Sequence, residues 1–365
     1  MTREFSVANH PIKTHIILHF PISQSVNQSI SQPCLALSAD RQAVGRSSNQ
    51  SFFNMLIVIT INYNLHQHTI PCVNSVLESD YKNFKVFLVD NGSRADDYNE
   101  LVKKFSHDNR VSILRIEKNR GYVGGVNFGL EAAKEHNPNY FMVMNNDTII
   151  DKFAISELVA AAKRYSNRAI VSGKVYYHDH PDVLQHTGVV FSDPRYCATT
   201  YPGRNEKDIG QHDIELERDS LDDVFWLIPS DVFNEVGYYS HFFYLYAEQG
   251  DYAQRARRLG FKLIYNPKAK LWHKESLTTG GGNPKALPIQ YWTGKSYVVF
   301  IVRNLKFKYF IKALLVRYFK TTYRLFFGDV INRKAAFAHL RGVNSGIAWI
   351  FHRKPDTGYN PYIKR

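Results

Sequence analysis

Between Met55 and Met144 the chain repeats one pattern: a short apolar run, then a stretch with helical or polar character. Leu56–Ile61, Phe84–Val89, Val111–Ile116 and Tyr140–Met144 are the runs, rich in Val, Ile and Leu. Ile70, Val73 and Leu77 lie between the first two at helical spacing, and Val123, Val126, Leu130 and Ala133 lie before the last. Short, continuously apolar runs read as strands covered on both faces, so the pattern predicts an α/β fold with a mostly parallel sheet and helices on both sides. In such sheets ligands sit beyond the carboxyl ends of the strands, which directs attention to the residues that close each run.

The regularity weakens downstream. Phe153–Tyr165 reads as a helix capped by Asp151, and Ala169–Tyr177 as a strand. Residues 178–222 read as loop-rich, Val224–Ile228 as a strand, Tyr252–Leu259 as a helix with a basic side and Phe261–Tyr265 as a short strand. Gly280-Gly281-Gly282 marks a flexible loop. Ser23–Ser51 is rich in Ser, Gln and Asn without periodicity and predicts a poorly ordered extension over 1–54. Met55 offers an alternative start, in which case 1–54 is not native. The expected division is therefore 1–54, an α/β domain over 55–290, and a basic, aromatic helical region over 291–365.

The net charge of +13 favours a polyanionic partner: nucleic acid, an anionic membrane surface or a phosphorylated ligand. Three cysteines without metal or redox spacing give no disulfide framework and suit a reducing compartment. No uncharged apolar run is long enough for a transmembrane helix. In Leu305–Phe327, Lys306, Lys308, Lys312, Arg317, Lys320 and Arg324 interleave with aromatics. This pattern suits a helix lying on a membrane surface, or a helix packed on the domain with a solvated basic face.

Four clusters close the early strands: Asn62-Tyr63-Asn64, Asp90-Asn91-Gly92-Ser93, Asn119 through Asn127 with its glycines, and Asn145-Asn146-Asp147. Asp90 can meet a base or ribose, or simply make an Asx turn. The glycines can open a helix toward a phosphate, or pack that helix closely on the sheet. Asp147 can hold a divalent cation whose other ligands are phosphate oxygens, or act as a turn residue. His178 and His180 could share a metal in extended chain, but no third ligand stands near them in sequence. Asp222-Asp223 reads as a solvated loop, with acceptor contact as the sharper alternative.

Taken in order and spacing, these clusters resemble family 2 glycosyltransferases, and their rhamnosyltransferase-like branch above all. The resemblance continues through Glu235-Val236-Gly237, Phe243 to Asp251, Arg255 to Gly260 and Trp272-His273-Lys274-Glu275-Ser276, and ends near Arg303-Asn304. It implies a GT-A (Rossmann-like) fold, a nucleoside-diphosphate sugar donor of UDP or dTDP type, a divalent metal (Mg²⁺ or Mn²⁺) and inversion at the anomeric carbon. It implies donor contacts from Asn62, Asp90, Gly121, Gly124, Asn127, Asn146 and Lys274, and metal contacts from Asp147 and His273. Two departures matter. The acidic metal motif keeps one carboxylate, Asp147, and Gln249 stands where an Asp is usual in Glu248-Gln249-Gly250-Asp251.

The base that takes the acceptor's proton is then expected to be Glu248, with Asp251 as the alternative. For Asp251 an i,i+4 ion pair with Arg255 is the bland reading. The expected activity is sugar transfer to a glycan or lipid-linked hydroxyl in cell-surface polysaccharide synthesis, in the cytoplasm or peripherally on the inner membrane face. A glycosidase would need two carboxylates flanking the bond and no nucleotide site. A nucleotidyltransferase, a non-catalytic nucleotide-sugar binder and a basic nucleic-acid-binding protein are the alternatives; no recognisable nucleic-acid module appears, so nucleic acid is not an expected partner.

Overall fold

The computed structural model describes residues 54–274, 283 and 285–363. Most of the 1–54 extension and the whole of the Gly280–Gly282 loop lie outside the described residues. β1 (Leu56–Asn62), β2 (Phe84–Asn91), β3 (Val111–Ile116) and β4 (Tyr140–Met144) form on the four apolar runs. Helices α1 (His66–Leu77), α2 (Ala95–Phe105) and α3 (Gly121–Lys134) connect them. The strands pair in parallel in the spatial order β4-β1-β2-β3. The chain thus moves outward from β1 to β3, then crosses back to the far side of β1. That reversal opens a crevice at the carboxyl ends of β1 and β4.

Both faces of β1, β2 and β4 are buried, which explains their apolar runs; β3, at the sheet edge, is only partly covered and carries the exposed Arg115. Leu56, Val58, Val86, Leu88 and Met142 face one core with Cys72 and Val76 of α1 and Leu101 and Phe105 of α2. Ile57, Ile59, Ile61, Phe87, Val89 and Val143 face the other with Val126 and Leu130 of α3. Truncating a fully buried leucine such as Leu88 to alanine removes about 2–5 kcal/mol of stability at such a position.

After β4 come β5 (Thr148–Ile150), α4 (Ala154–Arg164), β6 (Ala169–Tyr177), β7 (His180–His186), β8 (Val190–Asp193), β9 (Ala198–Thr200), β10 (Leu216–Glu217), β11 (Phe225–Pro229), α5 (Ser230–Val236), α6 (Glu248–Arg258) and β12 (Lys262–His273). β11 is wedged antiparallel between β4 and β6, and β12 resumes parallel pairing on β6. β12 is much longer than the strand expected over Phe261–Tyr265. Pro267 breaks the apolar pattern, and the ladder crosses it by a register shift between Asn266 and Lys270. α6 begins before Tyr252 because its first turn, Glu248 to Asp251, is polar and carries no apolar periodicity. Asp151 accepts the Phe153 N–H (2.8 Å) just ahead of α4.

Three long helices end the described chain: α7 (Leu287–Asn304), α8 (Phe307–Phe327) and α9 (Val330–His352). The expected boundary at 290/291 falls inside α7. α7 and α9 cross at backbone contact: a Cβ on Gly342 would sit 2.0 Å from the Tyr291 carbonyl oxygen, and one on Gly294 2.3 Å from that of His339. Val299 of α7 and Trp349 of α9 join the second core. α8 differs. It buries only Ala313 and Thr321, and leaves Phe307, Phe319, Phe326 and Phe327 exposed. No helix among the described residues is long and apolar enough to cross a membrane.

Candidate active site

Antiparallel pairing of β5 with β12 sets Thr148 opposite His273, and so brings Asp147 beside His273 and Lys274. The Lys274 N–H donates to the Asp147 carbonyl oxygen (2.9 Å). His273 Nε2 lies 3.2 Å from Asp147 Oδ1, with both side chains buried. The other ring nitrogen, Nδ1, lies 2.9 Å from Gln185 Oε1 of β7. An amide oxygen only accepts, so Nδ1–H donates to it and turns Nε2 toward the carboxylate. Nε2 has no hydrogen-bond partner of acceptable geometry. The donor set fits a divalent cation, with the imidazole oriented from behind by Gln185. Among the described residues no group of three or more His, Cys, Asp and Glu forms, so phosphate oxygens and water would complete the shell.

Basic groups surround this pair. Lys274 Nζ lies 3.5 Å from His68 Nδ1 of α1, and the His178 N–H donates to the His273 carbonyl oxygen (3.0 Å). Burial, then the Lys274 charge, hold the His68 imidazole below its ordinary value, while Asp147 pulls the other way. The His178 side chain pairs with Asp179 (3.0 Å) while its backbone bonds His273, and His180 is exposed.

Asn62 and Asp90 stand side by side at the ends of β1 and β2. The Asn62 side chain is fully buried and fully engaged. Its Nδ2 is within 2.7–3.1 Å of Asp97 Oδ1, Ser93 Oγ and Asp90 Oδ1, and its Oδ1 accepts from Thr69 Oγ1 (2.8 Å). Asn146 Nδ2 donates to the same Thr69 oxygen (2.8 Å). Asp97, in the first turn of α2, also accepts the His66 N–H (3.0 Å). The side chains of Asn62 and Asn146 thus knit the strand ends together, instead of facing a ligand as expected. Asp90 keeps one buried oxygen, Oδ2, without a hydrogen-bond partner; Arg115 Nε is 3.8 Å away. A nucleoside N–H or ribose hydroxyl would satisfy that oxygen.

The glycine segment packs more than it cradles. Gly121 has φ +74°, and a Cβ there would strike the Tyr244 ring at 2.6 Å. Its N–H donates to Asn119 Oδ1 (2.7 Å), and the Val123 N–H reaches the Tyr244 carbonyl oxygen (3.4 Å). The amino end of α3 is therefore largely covered and not open to a phosphate. Gly125 and Gly129 turn the bare face of α3 onto Ile61 and Ile59, while Gly124 lies against the Arg120 side chain. Asn127 clamps the backbone of Tyr239, donating to its carbonyl (2.9 Å) and accepting its N–H (3.0 Å). Its influence is indirect, because the Tyr239 hydroxyl donates to Asp223 Oδ2 (3.0 Å).

Asp223 corrects the solvated-loop reading. It is buried and receives a second hydroxyl, from Tyr122 of α3 (2.9 Å). The Asn145 N–H bonds the Val224 carbonyl (2.9 Å), so Asp223 lies on the same sheet edge as Asp147. Burial, then the neighbouring Asp222, raise the Asp223 carboxyl above the ordinary range. Glu248, first residue of α6, is also buried; burial, then the Asp223 charge, raise its carboxyl well above the usual value. Glu248 Oε2 has no hydrogen-bond partner. The two residues before it, Tyr246 and Ala247, both adopt left-handed φ (71° and 65°), a strained turn for residues with a Cβ.

Asp251 lies one turn further along α6 in a different setting. Arg303 of α7 grips both its oxygens (2.8 and 3.1 Å), Arg255 Nε is at 3.2 Å and Asn304 Nδ2 donates at 3.0 Å. Burial works to raise its carboxyl, but Arg303 and then Arg255 outweigh it and hold it below the ordinary range. The geometry makes Asp251 a latch between α6 and α7, and leaves Glu248 as the carboxyl without such partners.

Asp97, His68, Tyr122 and Tyr239 were not among the expected site residues, and Asp223 entered only as an alternative acceptor contact. For Asp223 a signal existed: an antiparallel strand begins, rather than ends, at the functional edge, and Asp222-Asp223 directly precede β11.

The family model described as "Glycosyl transferase family 2" matches residues 57–237. The chain is 29% identical over 129 residues to the glycosyltransferase GlyG of Streptococcus pneumoniae, covering 35% of this chain and 41% of that protein. It is 28% identical over 207 residues to the low-salt glycan biosynthesis hexosyltransferase Agl10 of Haloferax volcanii, covering 52% and 61%. It is 20% identical over 219 residues to the poly-beta-1,6-N-acetyl-D-glucosamine synthase of Staphylococcus epidermidis, covering 60% and 50%. The chain thus spans less than two thirds of each of these relatives. The crystal structure of GalNAc-T7 with UDP, GalNAc and Mn²⁺ superposes with a TM-score of 0.54 at 14% identity, over 82% of this chain and 56% of that one, and supports the GT-A fold. Through the matched segment and the sheet that carries it, the chain belongs to glycosyltransferase family 2.

Proposed function

We propose that this protein moves a sugar from a nucleoside-diphosphate sugar of UDP or dTDP type to a hydroxyl of a glycan or lipid-linked acceptor, with inversion at the anomeric carbon. One observation carries the reading: His273 Nε2 and Asp147 Oδ1 come together, buried and 3.2 Å apart, at the sheet edge where nucleotides bind in such folds. Asp147 and His273 would hold the divalent cation, which when bound neutralises charge on the leaving diphosphate. Lys274 and His68 add positive potential on the same side. Asp90 offers its bare oxygen to the nucleoside.

Glu248 acts as the base in this reading. The acceptor hydroxyl gives its proton to the Glu248 carboxylate as its oxygen bonds the anomeric carbon, and the bond from that carbon to the diphosphate oxygen breaks. A carboxyl raised by burial is a stronger base near neutral pH than an ordinary one. Asp251, already bonded to two arginines, is not that base. The exposed aromatics and cations of α8 support contact with the inner membrane surface, where polysaccharide precursors are extended.

The test is a panel of nucleoside-diphosphate sugars screened for Mn²⁺-dependent thermal stabilisation, with product analysis on the best donor. Stabilisation that appears in the wild type and vanishes in Asp147→Ala supports the reading. A donor that binds equally well in both without metal rejects it.

A further inference from the structure

Beside the turn that leads into Glu248, the last three helices enclose a cavity of about 580 Å³. Tyr246 and Ala247 form part of its wall, so it adjoins the proposed base. Lys285, Arg317, Lys320 and Arg324 line it, and no Asp or Glu does. Among the described residues, no ion pair joins any of the four to a carboxylate. The guanidinium of Arg317 lies over the Tyr297 ring at 3.9 Å, which fixes its plane without cancelling its charge. Asp329, the acid at the start of α9, caps that helix by accepting the Asn332 N–H (2.8 Å); the Lys285 charge reaches it without forming an ion pair. Like charges gathered around one hollow repel, and an anion in the hollow relieves that repulsion.

His339 of α9 is an independent sign. It lines the cavity, is only 8% exposed, and its Nε2 has no partner. Nδ1 lies 3.4 Å from Thr293 Oγ1 of α7. Burial, then Arg317, lower the imidazole to about 4, so it is neutral with the cavity empty of charge. An anion there would oppose both effects and let Nε2–H donate to it.

We propose that this cavity binds the phosphate or diphosphate group of the acceptor, held by Arg317, Lys320, Arg324 and Lys285 beside the turn that presents Glu248. The assignment to the acceptor rests on the glycosyl-transfer reading above; anion binding itself does not. The donor's diphosphate has its own basic surroundings at Asp147 and His273, on the β5–β12 side. The volume suits a diphosphate together with the first units attached to it. On α8 the cavity's cations stand among exposed Phe319, Tyr323 and Phe327, so a hydrocarbon-bearing phosphate would meet apolar surface where it leaves the cavity.

The experiment uses the full chain in EDTA, titrated calorimetrically with inorganic pyrophosphate and separately with farnesyl diphosphate. Three proteins are compared: wild type, Asp147→Asn, and the double variant Lys320→Glu with Arg324→Glu, whose side chains are exposed and leave the fold intact. Both probes are expected to bind wild type and Asp147→Asn alike, and to bind the double variant at least about tenfold more weakly. The His339 imidazole signal in NMR should move toward the protonated form on binding in the wild type. Tighter binding of farnesyl diphosphate assigns the anion to a lipid-linked acceptor, and equal binding assigns it to a soluble phosphate ester. Wild-type affinity in the double variant, or no binding of either probe to the wild type, overturns the proposal. Donor stabilisation by Mn²⁺ in the same proteins reports separately on the transfer reading, so the two failures are distinguishable.

Discussion

Asp147 and Glu248 are both buried carboxyls near one edge of one sheet, yet their neighbours have opposite character. Asp147 faces an imidazole nitrogen, with Lys274 and His68 beyond it. Glu248 sits near Asp223 and Asp222, and no cation among the described residues shifts its carboxyl. The first arrangement mixes a carboxylate with basic groups, the surroundings the proposed metal and diphosphate would use; the second gathers negative charge and favours a proton. Burial amplifies both effects, because little water is present to screen them. Asp251, three residues from Glu248, shows the third outcome: with two arginines and an amide attached, a buried carboxylate becomes structure.

The contrast can be broken by four changes. Glu248→Gln keeps shape and removes the base, so transfer should fall by about 10²–10⁴-fold with donor binding unchanged. Equal losses in donor affinity and turnover would move Glu248 to the donor site instead. Asp147→Ala should abolish Mn²⁺-dependent donor stabilisation and lower turnover by about 10²-fold, a loss measured as raised metal requirement before any change in metal-free stability. Asp251→Asn leaves Arg303 without its carboxylate and should destabilise the fold by about 3 kcal/mol, seen in denaturant unfolding, while turnover per folded molecule survives. Because the Asp251 carboxyl is depressed, its contribution is present at neutral pH and is lost as the pH falls through the folded value.

The smallest effect is the sharpest test of the acidic pair. Asp223's charge raises Glu248, so Asp223→Asn should shift the acid limb of the pH–rate profile downward. An unmoved limb would separate the two residues. The sign follows from ionisation: a base with a raised value loses activity as the pH drops through it. The same raised value makes the fold less stable as the pH climbs from the ordinary carboxylate range toward it, since the unfolded chain releases that proton first.

β1, β2 and β4 were legible because both of their faces are buried, which keeps them almost continuously apolar up to their carboxyl ends. That rule drew attention to Asp90 and Asp147 at the ends of β2 and β4, whereas His273 came from the family resemblance, since the strand expected there stopped at Tyr265. Asn62 and Asn146 were found by it too, but a strand end holds structural hydrogen bonds as readily as ligands, and composition cannot tell which way an amide points. Asp223 was hidden because strand direction is not written in the strand itself. Pro267 disguised the length of β12, and the polar first turn of α6 disguised its start. The cationic cavity could not be read at all, since Lys285 and Arg324 meet only after three helices fold back on one another.

β11 wedged against β4 has a consequence for how this scaffold can vary. The Asn145 N–H bonds the Val224 carbonyl just past the paired ends of β4 and β11, so Asp147 and Asp223 both leave the sheet within a few residues of one shared hydrogen bond. Under the reading proposed above, insertions between residues 178 and 222 would reshape the acceptor side without disturbing that bond. A slide of β11 by a single position, in contrast, would turn Trp226 and Ile228 inside out, which makes the placement of Asp223 against β4 one of the least adjustable features of the molecule.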